Sequence, residues 1–105
     1  GTYLEALAAK DNNVPFYVAL PSSTIDWETE NSEKIIIEER NEDEIHYVRG
    51  KDINDNIINV RITPDKSRGS NYAFDTTPSK YISGLITENG ICLATENDIR
   101  DKNAK

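Results

Sequence analysis

Cysteine and histidine, two residue types often used in catalysis and metal binding, each occur once in this chain. The single cysteine, Cys92, follows Gly90 among apolar neighbours, a setting typical of a buried structural thiol. The single histidine, His46, has no second histidine for a metal and no nearby serine or cysteine motif. We therefore predict that His46 is a partly exposed polar residue and that the chain has no metal site.

Three consecutive hydroxyl side chains, Ser22, Ser23 and Thr24, are the best candidates for contact with a ligand. They follow an apolar run that ends at Leu20. If that run is a strand, the hydroxyls lie at its carboxyl end, the edge where open α/β sheets bind ligands, and they would face a sugar or a phosphate. Ordinary turn chemistry after Pro21 explains the same residues. Both interpretations remain open from the residues alone.

Asp75 and Thr77 are candidates for a structural role. Thr77 followed by Pro78 predicts a helix start, with threonine as the N-cap and proline at the first helical position. Asp75 would then stabilise the amino end of that helix, or alternatively line a dimer contact or the floor of a substrate cleft. The apolar face of the predicted helix comprises Tyr81, Ile82, Leu85 and Ile86, and Gly90 is its predicted left-handed stop.

Charge limits the classes of partner. The net charge is -7, from 19 acidic and 12 basic residues, which argues against nucleic acid and against an anionic membrane surface. The acidic clusters at 28–33 and 38–44 are best explained as solvated faces. The basic loop at 66–70 lacks the Gly-Lys-Ser/Thr ending of a phosphate loop. One cysteine and the lack of a spanning apolar run favour a cytoplasmic protein.

The first twenty residues predict a helix followed by a strand. Thr2 and Glu5 have the spacing of a capping box, and an apolar stripe of Leu4, Leu7 and Ala8 predicts a helix that ends at 11–13. The near-continuous apolar run at 14–20 predicts a strand that is covered on both faces, as in a parallel sheet.

The middle of the chain predicts an additional strand excursion. Strands are expected at 34–39 and 56–62 and are expected to pair with each other. A helical turn is expected at 42–47, with Gly50 breaking it. Later in the chain we predict a short strand at 91–93 and a frayed, charged tail from Arg100.

These elements predict an α/β fold that is incomplete by itself. With 105 residues the chain is one unit at most. A buried parallel strand needs neighbours, and its helix needs a preceding strand, so we expect residues 1–105 to be the later part of a larger domain. An unpaired sheet edge invites association, which predicts a homodimer or a complex with an upstream polypeptide.

Six segments, read together, resemble the methylthioribose-1-phosphate isomerase family. They are found at 1–10, 14–19, 21–26, 37–40, 71–78 and 84–90 and cover nearly the whole chain. The stretch Pro-Ser-Ser-Thr-Ile-Asp at 21–26 is the most selective. The last segments are shared with the regulatory subunits of translation initiation factor 2B and with ribose-1,5-bisphosphate isomerases.

The resemblance implies a two-domain, dimeric enzyme of methionine salvage whose C-terminal domain is Rossmann-like and uses neither metal nor nicotinamide. Such an enzyme converts an aldose 1-phosphate to a ketose 1-phosphate, with a cysteine and an aspartate as acid–base groups. In the family pattern those groups, and an Asn-Lys pair that contacts substrate, precede Gly1. The chain would therefore be inactive alone and would meet its sugar phosphate only with the upstream segment. The alternatives are a non-catalytic regulatory or assembly module like the initiation factor 2B subunits, and a degenerate remnant.

Overall fold

The computed structural model describes residues 1–104, which form two compact units. The first, which we call the sheet unit, consists of Gly1–Ile35 and the segment that begins at Asp75. The second, the excursion, is Ile36–Phe74. The helices and strands of residues 1–104 are, in order, α1 (Thr2–Asp11), β1 (Tyr17–Ala19), α2 (Asp43–His46), β2 (Tyr47–Lys51), β3 (Ile57–Arg61), β4 (Gly84–Thr87), β5 (Gly90–Cys92) and α3 (Glu96–Asn103). Short 3₁₀ turns lie at Ser22–Thr24, Ser32–Lys34 and Ser79–Tyr81.

The sheet unit contains a mixed three-stranded sheet of order β1-β4-β5. β1 runs parallel to β4, with Tyr17 opposite Gly84 and Ala19 opposite Ile86, and β4 and β5 form an antiparallel hairpin. A parallel pair requires a long connection, which here includes the whole excursion. The sheet and its helices give the α/β character that the sequence predicts.

Within 14–20 the predicted strand is confirmed, although it is only three residues long. Its predicted burial on both faces is wrong for this chain: Val14 is 56% and Tyr17 is 52% exposed. Within residues 1–104, β1 is hydrogen-bonded to β4 alone, so its other edge has no strand beside it.

The predicted first helix is confirmed as α1, but its details differ. Gly1 is the N-cap and has no side-chain capping bond, so the expected Thr2–Glu5 box does not form. The expected stripe is also wrong, because Ala6 is fully buried while Leu4 is 72% exposed. The helix ends at Asp11, within the predicted 11–13. Asn13, with a φ of 57°, then turns the chain so that the amide of Val14 donates to Ala9 O at 2.8 Å.

The predicted helix after Thr77 is wrong. Apart from the Ser79–Tyr81 turn, this segment forms strand β4, because pairing with β1 and β5 satisfies its backbone. Gly90 has the predicted positive φ, at 112°, but it lies in the β4–β5 hairpin. The short strand at 91–93 is confirmed as β5, one residue earlier.

The tail beyond Arg100 is helical rather than frayed. It belongs to α3, whose N-cap Thr95 accepts a hydrogen bond from the amide of Asp98. Near the end of this helix Asn103 is buried, and it contacts both Thr87 and Cys92. These contacts fix the last turn against the sheet.

The excursion contains an antiparallel pair, β2 and β3, with Tyr47 opposite Arg61 and Lys51 opposite Ile57. The predicted strand at 56–62 is confirmed as β3, and the predicted helical turn as α2. Gly50 does not break the structure but lies within β2. The predicted strand at 34–39 is wrong: it contributes only an isolated bridge between Glu39 and Tyr72. β2 therefore pairs with β3 in place of the strand that we expected at 34–39.

Candidate functional site

The predicted hydroxyl cluster lies where two parallel strands end side by side. β1 ends at Ala19, opposite Ile86 of β4, and the amide of Leu20 continues the pairing by donating to Ile86 O at 2.9 Å. The chain then turns at Pro21 into the 3₁₀ turn Ser22–Thr24. This turn is thus at the carboxyl edge of the parallel pair, the edge where α/β sheets bind ligands.

A residue that the sequence analysis missed, Glu88, holds this turn. Its carboxylate accepts two hydrogen bonds from Ser22: one from the amide, at 2.9 Å, and one from the hydroxyl. Glu88 directly follows β4, so it lies at the same edge as the turn after β1. No local sequence pattern indicates this contact, because it depends on the parallel pairing of β1 with β4.

The three hydroxyls differ in their hydrogen bonding. Thr24 Oγ1 donates to Pro21 O at 2.8 Å and so closes the turn on itself. Ser22 is half-buried beside Glu88. Ser23 is exposed, and its side chain has no hydrogen bond within residues 1–104. The bond of Thr24 fits the interpretation as turn chemistry, and the exposed hydroxyl of Ser23 fits the ligand-binding interpretation.

Asp75 lies at the N-terminus of a helix, but a different one from that predicted. Its Oδ2 accepts a hydrogen bond from the amide of Tyr3, in the first turn of α1, at 3.1 Å. A side chain added at Gly1 would meet the same oxygen at 2.8 Å. Thr77 is half-buried and is the cap of no helix, since the 3₁₀ turn that follows has Pro78 at its N-cap. Asp75 therefore joins two segments far apart in sequence.

His46 is buried, not partly exposed as predicted, with only 4% of its surface accessible. Its Nδ1 is hydrogen-bonded to Thr63 Oγ1 at 2.6 Å, and Nε2 lies 3.7 Å from Glu42 Oε2. The amide of Gly69 donates to the same carboxylate oxygen at 2.9 Å. This bond, and then the charge of Arg68, keep the pKa of Glu42 below its usual value. These contacts link α2 to later parts of the excursion.

Two cavities lie in the sheet unit. One, of about 290 Å³, is formed by the segment around Trp27 and by α3, where the Arg100 guanidinium lies 5.6 Å from the indole ring centre. The other, of about 270 Å³, lies between the end of α1 and the segment before β4 and includes Lys10 and Lys80. Neither contains the Ser22–Thr24 turn.

Among residues 1–104, no group of three or more His, Cys, Asp or Glu side chains has a geometry suited to a metal ion. Cys92 is buried, as predicted, at 8% exposure. In that same part of the chain no helix has the length and apolar character needed to cross a lipid bilayer.

The chain has relatives of two kinds. A methylthioribose-1-phosphate isomerase of Desulfosudis oleivorans is 55% identical over 100 residues, which is 94% of this chain but 27% of the relative. The chain thus spans about a quarter of the length of that enzyme and matches its C-terminal part.

Solved structures show the same two kinds. A translation initiation factor eIF-2B subunit delta from A. fulgidus superposes with a TM-score of 0.84 at 35% identity, over 100% of this chain and 28% of the other. A 5-methylthioribose 1-phosphate isomerase from Pyrococcus horikoshii gives 0.77 at 33%, over 95% and 26%. A family model, the initiation factor 2 subunit family, matches residues 1–94. Because this match covers most of the sequence, the chain belongs to the initiation factor 2 subunit family.

Proposed function

We propose that this chain is the C-terminal portion of a methylthioribose-1-phosphate isomerase, an enzyme that converts methylthioribose 1-phosphate to methylthioribulose 1-phosphate in methionine salvage. The observation that carries the proposal is the 55% identity to a curated isomerase over nearly the whole chain. Sequence identity to the two solved structures, 35% and 33%, does not separate the two kinds of relative. The higher identity to the curated isomerase does.

The proposal includes a larger domain. We infer that residues 1–105 form the last half of a Rossmann-like domain, in which strands from an upstream segment continue the sheet beyond β1. The parallel β1–β4 pair supports this arrangement, as does the edge of β1 that has no strand beside it in the described part of the chain. An apolar side chain such as Val14, now 56% exposed, would be covered by the added part. A homodimer or a complex with the upstream polypeptide, in the cytoplasm, belongs to the same proposal.

In this assignment the chain shapes the cleft and performs no proton transfer. Aldose–ketose isomerisation removes a proton from one carbon of the opened sugar and delivers one to its neighbour, which requires an acid and a base within hydrogen-bond reach. Those groups belong to the upstream segment. The role proposed for Ser22, Ser23 and Thr24 is to contact the sugar phosphate from the carboxyl edge of β1 and β4. There Glu88 holds the backbone amide of Ser22.

The test is reconstitution. We define the joined protein as this chain fused to the upstream three-quarters of the Desulfosudis oleivorans isomerase, in place of the segment that it matches. We expect the joined protein to isomerise methylthioribose 1-phosphate, followed by ¹H NMR, and the 105-residue chain alone to be inactive. The unmodified relative is the matched control. Turnover by the chain alone would contradict the placement of the acid–base groups upstream.

The second candidate is a non-catalytic regulatory or assembly module. The observation that favours it is the superposition on the eIF-2B subunit delta, with the TM-score of 0.84. A joined protein that is folded by circular dichroism but inactive, beside an active unmodified relative, would favour this module over the isomerase. The two hypotheses therefore differ in one measurement.

A further inference from the structure

The carboxyl edge of the parallel pair contains a specific arrangement of donors and acceptors. Glu88 accepts both hydrogens that Ser22 has to offer, from its amide at 2.9 Å and from its hydroxyl. A hydroxyl has one proton and two lone pairs. With its proton engaged by Glu88, the Ser22 oxygen is left as an acceptor only.

This constraint selects the chemical group that Ser22 is able to bind. A phosphate oxygen is itself a hydrogen-bond acceptor, so it gains no hydrogen bond from the Ser22 oxygen. A sugar hydroxyl is neutral and has a proton to donate. The position beside Ser22 therefore suits a hydroxyl of the substrate and disfavours its phosphate.

Neighbouring hydroxyls provide the contrast. The proton of Thr24 is also engaged, by Pro21 O at 2.8 Å. Ser23 has no side-chain hydrogen bond within the described residues, so its proton is available to an anionic group. The three hydroxyls look equivalent in the sequence but differ in whether they have a proton available to donate to a ligand.

We propose that Glu88 is a positioning residue that fixes the Ser22 hydroxyl as an acceptor for a neutral hydroxyl of the sugar-phosphate substrate. The inference rests on the proposed isomerase function and deepens it. Glu88 itself does not touch the substrate in this assignment. It acts through Ser22 and through the backbone of the turn.

The experiment compares Ser22→Ala, Glu88→Ala, Glu88→Gln and the double variant Ser22→Ala/Glu88→Ala in the joined protein. Loss of one hydrogen bond to the substrate predicts about a tenfold rise in KM for methylthioribose 1-phosphate in Ser22→Ala and Glu88→Ala. The value of kcat should change less than about twofold, since the bond is made equally in ground and transition states. The double variant should be no worse than either single one, because both remove the same contact.

Two readouts separate positioning from a general structural role. Inorganic phosphate, used as a competitive inhibitor, should bind equally well to all four variants, whereas a collapsed cleft would weaken it. Hydrogen exchange should increase in the peptide that contains the Ser22–Thr24 turn in Glu88→Ala, and not in peptides from β4. Glu88→Gln keeps one acceptor oxygen, so its KM should lie between those of the wild type and Glu88→Ala.

Several results would overturn the inference: an unchanged KM in Glu88→Ala, additive effects in the double variant, or weaker phosphate inhibition in parallel with the rise in KM. If Glu88→Ala does not fold, Ser22→Ala and Glu88→Gln make the same comparison. Failure of the proposed function looks different, since the wild-type joined protein would then be inactive. Ser23→Ala is the matched control: it should weaken phosphate inhibition more than Ser22→Ala does.

Discussion

The sheet unit and the excursion are stabilised by different interactions. In the sheet unit, strands distant in sequence pair in parallel, and α3 packs on β5 through Asn103, Cys92 and Thr87. In the excursion, β2 and β3 are a local hairpin, and His46 is the one buried residue within 36–74. Long-range pairing costs more chain entropy than a hairpin does. The sheet unit must therefore recover that cost through close packing, while the excursion depends on hydrogen bonds around a single histidine.

Apolar residues remain exposed in both regions. Among residues 1–104, neither unit buries a large side chain completely. In the excursion Val48 and Ile57 are more than half exposed on the hairpin, and a two-stranded sheet without further packing is marginal in water. Close packing should thus matter most around β4, and polar bonding most around His46.

The largest expected effect is a reversal of sign between two glycines in strands. An added Cβ at Gly84 would lie 3.0 Å from the Tyr17 ring and 3.2 Å from the backbone oxygen of Cys92. At Gly50 in β2 it would meet nothing within 4 Å. We expect Gly84→Val to lower the free energy of unfolding by about 3 kcal/mol through overpacking. Gly50→Val should raise it by about 0.5 kcal/mol, because valine is less free in the unfolded chain and favours strands.

Urea denaturation of the 105-residue chain, followed by circular dichroism, measures both variants. Gly50→Val is the matched control for Gly84→Val, since the substitution is the same and only the surroundings differ. Equal effects at the two positions would show that strand propensity, and not close packing, governs the sheet unit.

The next effect tests the polar interior of the excursion. Thr63→Val keeps the shape of the side chain but removes the hydroxyl that is 2.6 Å from His46 Nδ1. A buried polar nitrogen without a partner costs about 1 to 2 kcal/mol. We expect that loss in the free energy of unfolding, together with faster hydrogen exchange in β2 and β3.

Thr87→Val in the sheet unit is the matched substitution, because Thr87 is also buried and its hydroxyl donates to Asn103 Oδ1 at 2.7 Å. It should increase exchange in β4, β5 and α3 and leave β2 and β3 unchanged. If each variant affected the other region equally, the division into two units would not describe their stability.

These contrasts show which parts of the fold could be predicted from the sequence. Helix α1 was predicted from the Thr2–Glu5 spacing and an apolar stripe, and the helix is confirmed although neither feature has the expected geometry. Strand β3 was predicted from a local β-branched run. The segment 82–87 was misread because Ile82, Leu85 and Ile86 also have helical spacing, and only the partners β1 and β5 decide in favour of a strand. Pairing with these two strands, which no local pattern contains, outweighed the helical spacing.

The candidate site follows the same rule. The turn at Ser22–Thr24 was predicted to follow a strand, and it does. Glu88 was missed because its relation to Ser22 depends on the register of β1 against β4, which no local pattern contains. Asp75 was identified as a capping residue for the helix nearest in sequence, whereas it bonds to the amide of Tyr3, 72 positions away.

A smaller effect is expected at that contact. Asp75→Ala removes the acceptor for the amide of Tyr3 and the negative charge near the start of α1. Loss of an N-terminal capping acceptor typically costs about 1 kcal/mol. The free energy of unfolding measures it, and Asp75→Asn is the control, because the amide oxygen keeps the hydrogen bond without the charge. If Asp75→Asn lost as much stability as Asp75→Ala, the charge and not the bond would be the main contribution.

The smallest effect, and one expected mainly in the excursion, is its response to acid. The pKa of Glu42 is kept below its usual 4.5 by the amide of Gly69, and that of Asp52 below 3.8 by the amides of Asn56 and then Asn54. A carboxyl whose pKa is lowered by folding stabilises the fold above its unfolded pKa, and that contribution is lost as the pH falls through the folded value. We therefore expect the excursion to lose order progressively below pH 4.5.

Amide resonances of Gly69 and Asn56, followed by ¹H–¹⁵N NMR from about pH 6 to about pH 3, report this loss directly. The carboxylates are partly exposed, so the effect should be modest and should decrease in salt. In Glu42→Gln the Gly69 amide has a neutral acceptor at every pH, so its resonance should no longer shift through this range. A Gly69 shift that persisted in Glu42→Gln would mean that another group, and not the carboxylate it bonds, links acid to the order of the excursion.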